Sequence, residues 1–129
     1  MLRSFLILML AGSAATAQTT AFDGDWAMGD PAACVVGTDN ANLALRIQNG
    51  ALNFYESACA LTNPTAVRGM EATLFDLQCN GEGETWSYRA LFMIDHQDAL
   101  IFVQNGSVQI LPRCAGSVHG SPPAAAPTK

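Results

Sequence analysis

Leu43-Ala44-Leu45-Arg46-Ile47-Gln48-Asn49-Gly50-Ala51-Leu52-Asn53-Phe54-Tyr55-Glu56 is the stretch whose reading decides the fold. Large apolar residues recur every second position on both sides of Asn49-Gly50, and a helix would space them by three and four. Asn-Gly adopts the positive φ values of a type I′ turn at low cost, so the pair reads as the tip of a β-hairpin. A two-residue turn sets Ile47 opposite Leu52, Leu45 opposite Phe54 and Leu43 opposite Glu56. Five of these six residues are apolar. The other face carries Ala44, Arg46, Gln48, Ala51, Asn53 and Tyr55 and reads as wet.

Two more Asn-Gly pairs follow, Asn80-Gly81 and Asn105-Gly106, each flanked by the same alternation. Around the first, with a loop of two residues or of four from Asn80 to Gly83, Phe75 and Leu77 share a face with Trp86, Tyr88, Ala90, Phe92 and Ile94. Around the second, Val103 opposes Val108 and Ile101 opposes Ile110, while Leu100, Phe102 and Leu111 lie on the reverse side. That hairpin reads as covered on both faces. Phe22 to Met28 fits a short first strand and Cys34-Val35-Val36 another, with Asn63-Pro64 and Arg68-Gly69 in the loop between the first two hairpins. A short helical turn between Ala60 and Val67 is the one departure from strand that this loop admits. The expectation is an all-β, antiparallel up-and-down meander of six main strands plus one or two short ones, closing into a small barrel or sandwich.

Working outward, residues 1–17 read as a secretory signal. Arg3 supplies the charge, Phe5 to Ala11 the apolar run and Ala15-Thr16-Ala17 the small-residue cleavage site. The run is far short of the roughly 18–20 residues that cross hydrocarbon, so no membrane insertion is expected once the leader is gone. Leu10-Ala11-Gly12-Ser13 resembles a bacterial lipoprotein signal, but serine stands where an acylated cysteine would be needed. The folded domain then spans residues 18–114. Residues 115–129, with Pro122-Pro123, Pro127 and three consecutive alanines, lack the apolar bulk to offset ordering and read as a flexible tail.

Cys34, Cys59, Cys79 and Cys114 all follow the leader, an even count suited to an oxidising compartment. The protein is expected in the periplasm or outside the cell, with two disulfides. Spacings of 25, 20 and 35 residues, with no Cys-x-x-Cys pair, disfavour a metal site. Strand direction in the meander sends Cys59 and Cys114 to one end and Cys34 and Cys79 to the other. Cys34–Cys79 and Cys59–Cys114 are therefore the favoured pairs.

Six Lys and Arg against eleven Asp and Glu give a net charge of −5, and the cations are scattered, which disfavours nucleic acid as a partner. Chemistry finds little purchase. Asp95-His96-Gln97-Asp98 fits a solvated turn, and no serine sits in a nucleophile-elbow context. Asp23, Asp25 and Asp30 form a loose acidic group without the register of a calcium loop. No cofactor or catalytic residue is assigned.

Glu56 stands out because the hairpin arithmetic puts a carboxylate on an apolar face, although a strand end open to water accounts for it more simply. Trp86, Tyr88 and Phe92 share one face, for which core packing is the plain role and a ligand-lined interior the sharper one. Arg89, beside Leu91 and Met93, marks the opposite face as a candidate partner surface. The reading is a non-enzymatic exported binding module, an interaction domain or inhibitor of an envelope enzyme. The alternatives are a carrier of small apolar ligands, lined by Phe54, Phe75, Trp86, Tyr88 and Phe92, and a small hydrolase built on His96.

Overall fold

The computed structural model describes residues 20–30, 34 and 44–115. Eight antiparallel strands follow one another in a single sheet: β1 (Gly24–Ala27), β2 (Ala44–Gln48), β3 (Ala51–Phe54), β4 (Ser57–Ala66), β5 (Ala72–Gly81), β6 (Glu84–Ile94), β7 (Ala99–Gln104) and β8 (Ser107–Pro112). Each strand pairs with the next in sequence, so the topology is a plain meander. The sheet then curls until its two edges meet. Trp26 of β1 bridges Arg113, and the Cys114 amide donates to the Asp25 carbonyl at 2.8 Å, which nearly closes a barrel.

Arg113 latches this seam. Its guanidinium makes a two-point ion pair with Asp98 at 2.8 and 3.1 Å, donates to the carbonyls of Asp23 and Ala21, and lies 4.2 Å from the Trp26 ring centroid. A planar, five-donor cation suits such a junction of carbonyls, carboxylate and aromatic face. The second half of the latch is covalent, since Cys34–Cys114 ties the β1–β2 connection to the end of β8.

Alternation along the strands fills the interior, as an eight-stranded barrel of this width requires. Trp26, Ile47, Leu77, Phe92 and Leu100 are wholly buried. Phe22, just before β1, joins them by turning its ring into one barrel end. It meets Phe75 edge-on at 5.9 Å and Phe92 at 5.6 Å, and Phe92 meets Phe75 at 5.2 Å and Phe102 at 5.1 Å. The Trp26 indole donates to the Phe22 carbonyl at 3.0 Å, so its one polar group is satisfied inside the core.

The first hairpin forms as the pattern dictates, with Ile47 opposite Leu52 and positive φ at Asn49 (52°) and Gly50 (74°). The third has the expected register, Val103 opposite Val108 and Ile101 opposite Ile110. Its turn differs in kind, because Gly106 has φ of 79° and Asn105 does not enter the positive region, so it is not type I′. In the second hairpin the reversal lies at Glu82-Gly83 (φ 48° and 80°), and Asn80-Gly81 belongs to β5. That shift of two residues preserves parity, so Leu77 and Tyr88 still share the expected face and now stand directly opposite each other.

One reversal carries no sequence mark and changes the strand count. The chain turns back at Tyr55-Glu56, with Tyr55 at φ 38°, and residues 57–66 form the long strand β4 where a loop or helical turn was expected. Asn63-Pro64 is a bulge in that strand. The extra reversal also overturns the expected disulfides. β4 runs antiparallel to β5 with Cys59 directly opposite Cys79, Cα atoms 4.0 Å apart, and the observed bridges are Cys59–Cys79 and Cys34–Cys114. Cys34–Cys79 and Cys59–Cys114 are not formed. Val35-Val36, the leader 1–17 and the tail beyond Ala115 lie outside the described residues.

Candidate functional site

The residues singled out by sequence fall at four separate places. Glu56 occupies the exposed β3–β4 turn rather than an apolar face. The missed reversal removes it from the strand that would have set it opposite Leu43. Trp86 stands opposite Cys79 near the rim of the barrel and remains 42% exposed. Tyr88 packs half-buried against the core, and that burial pushes its phenol above the usual range. Phe92 is at the centre of the aromatic cluster, wholly buried. Arg89 lies on the outer surface, ion-paired to Asp76 at 2.8 Å.

His96 is exposed in the β6–β7 turn, at the end of the barrel opposite Glu56, so the two are not brought together. Its neighbour Asp95 accepts from the amides of Ala99 (2.9 Å) and Gln97 (2.8 Å), bonds that hold its carboxyl below the usual carboxylate range and shape the turn. In the acidic group, Asp25 makes a two-point ion pair with Arg46 at 2.6 and 2.9 Å. Among the described residues, no three His, Cys, Asp or Glu side chains gather as a metal site.

Two features do stand out geometrically. The first is the outer face of β5–β8. Strand register places Leu74, Leu91, Val103 and Val108 in one row across four strands, and Met93, Ile101 and Ile110 in the next. At the usual strand spacing the first row runs unbroken for roughly 14 Å and the second for roughly 10 Å. Val108 is 65% exposed and Ile110 63%. This corrects the expectation of a doubly covered third hairpin: Leu100, Phe102 and Leu111 are its core side, and the facing row stands in solvent. Leu91 and Met93, flagged beside Arg89, are members of the same patch. The Arg89–Asp76 pair borders it.

The second feature is the barrel mouth beside the β4–β5 hairpin. β4 loses its β3 neighbour beyond Leu61, whose amide donates to the Gly50 carbonyl at 2.8 Å. Past that point Asn63 (φ 50°) and Pro64 form a bulge that leaves Phe75 with no paired residue on β4. The bulge is held in place by its neighbours. The Asn63 amide donates to Asp76 Oδ2 at 2.9 Å, Arg89 donates to Asp76 Oδ1 at 2.8 Å, and Thr62 donates to the Asp76 carbonyl at 2.7 Å. Hydrogen bonds from Arg89 and Asn63 hold the Asp76 carboxyl below its ordinary value. The result is an open pocket of about 760 Å³ between the hairpin, Gly50, the segment Thr20–Phe22 and Ile94.

Sequence reasoning missed Val108, Ile110, Phe22 and the bulge. β7 is apolar at consecutive positions, so alternation alone gives no sign of which face is inward. Pro64 was the available signal for the bulge, since proline within a strand marks an edge or an irregularity. Compared with known families, curated proteins and solved structures, the chain matches none.

Proposed function

We propose that this chain is a non-enzymatic binding module that engages a protein partner, such as an envelope enzyme it inhibits, through the outer face of β5–β8. The observation that carries the reading is the pair of apolar rows on that face, with Val108 and Ile110 mostly exposed. Contiguous apolar surface of this kind on a small domain is a common mark of protein contact. Its bordering Arg89–Asp76 pair gives the polar rim that such surfaces usually carry. Rigidity supports the same reading. A sheet stapled by two disulfides and filled with aromatic rings holds its outer face in one shape, which lowers the entropic cost of association. The disulfides also favour an exported setting, periplasmic or extracellular.

The test is affinity capture from envelope extract with fully oxidised protein, run beside a Val108→Lys/Ile110→Lys variant. Both positions are exposed, so stability should change by no more than about 0.5 kcal/mol per site. A partner retained in stoichiometric amount by the native face and lost by the variant is the expected result. Equal capture by both, or repeated failure to retain anything, overturns the proposal.

A further inference from the structure

We infer that the barrel mouth beside the β4–β5 hairpin is a second binding site, for a small amphiphile with an apolar tail and a positively charged amine head. Its floor is apolar and aromatic: Phe22 and Phe75 meet edge-on at 5.9 Å, and Leu61 and Ile94 stand at the sides. A volume of about 760 Å³ falls within the range of small-molecule sites. The opening is built rather than frayed, because Asn63 bonds Asp76 and so fixes the bulge that parts the wall opposite Phe75. Bulges recur beside functional sites for this reason.

The polar part of the lining selects the head group. It consists of Thr20, Thr73 and Glu71, and none of the lining residues is a cation. A second carboxylate stands behind Thr20. Asp23 is only 4% exposed, its Oδ1 accepts from the Thr20 hydroxyl at 3.0 Å, and its Oδ2 has no hydrogen-bond partner among the described residues. Glu71 puts a carboxylate on the lining itself. The nearby Arg113 guanidinium, which donates to the Ala21 and Asp23 carbonyls, is already engaged by Asp98, so the mouth complements an ammonium better than a carboxylate or phosphate. The site is separate from the outer face of β5–β8 and does not depend on its role.

Titration calorimetry with decylammonium, decan-1-ol and decanoate, each below its micellar concentration, tests the assignment on the oxidised protein. Decylammonium is expected to bind tightest and decanoate weakest. Glu71→Gln should narrow the preference for decylammonium over decan-1-ol by about three- to fivefold, the size of a solvent-accessible ion pair. Glu71→Lys, an exposed substitution that leaves the core untouched, should move the preference towards decanoate. Thr73→Trp, which fills the mouth, should abolish binding of all three. Decanoate binding as tightly as decylammonium, a preference indifferent to both Glu71 variants, or no heat from any of the three overturns the inference.

Discussion

Asp76 is the residue on which several local features converge. Its carboxylate receives Arg89 from β6 and Asn63 from the β4 bulge, and its backbone carbonyl receives Thr62. Those contacts favour the ionised form, so the folded protein binds a proton at Asp76 less readily than the unfolded chain does. The associated stability is complete above the unfolded value of about 4 and drains away as pH falls through the lower folded value. Asp95 behaves in the same direction through its two backbone donors. Urea midpoints measured from neutral to strongly acidic pH should therefore fall on the acid side of about pH 4, and Asp76→Asn should flatten part of that fall and leave the Asp95 share. Parallel curves for the two proteins would contradict the account of this carboxylate.

Between strands, close approach rather than charge sets the constraint. A Cβ built on Gly81 would stand 2.7 Å from the Glu56 carbonyl oxygen and 3.0 Å from the Ser57 Cβ, because the β3–β4 turn packs directly on the end of β5. Gly81→Ala must push backbone against backbone, and a loss of about 1–3 kcal/mol in denaturant unfolding is expected. An unchanged midpoint would mean that the two elements do not pack as described. The same junction shows where sequence reading succeeds and where it stops. Asn49-Gly50 was legible because glycine and asparagine adopt positive φ readily, whereas Tyr55-Glu56 uses a tyrosine at φ 38°, which no composition rule flags. Pattern also located the hairpin faces around Leu77 and Tyr88, since moving the turn from Asn80-Gly81 to Glu82-Gly83 conserves parity. It gave no inside or outside for Ile101 and Val103, which alternate with the equally apolar Leu100 and Phe102. The candidate binding face was thus only glimpsed at Leu91 and Met93, through their position beside Arg89.

For the molecule as a whole, the central claim is that the chain winds once around a filled core as eight successive strands, leaving its distinctive apolar surface on the outside. Among the described residues, closure rests on few contacts: the Trp26–Arg113 bridge, the Cys114 amide on the Asp25 carbonyl, the Arg113 latch and Cys34–Cys114. The Cys59–Cys79 bridge, by contrast, joins neighbouring strands in the middle of the sheet. Two cross-links of such different span make the winding readable by chemistry, because the antiparallel pairing of β4 with β5 through the turn after Ala66 sets Cys59 opposite Cys79. Proteolysis of the unreduced protein at acidic pH, followed by mass spectrometry of the linked peptides, tests this most directly. The account predicts one peptide pair joined through Cys59 and Cys79 and another through Cys34 and Cys114; pairs joined through Cys34 and Cys79, or four free thiols in the oxidised protein, would contradict it.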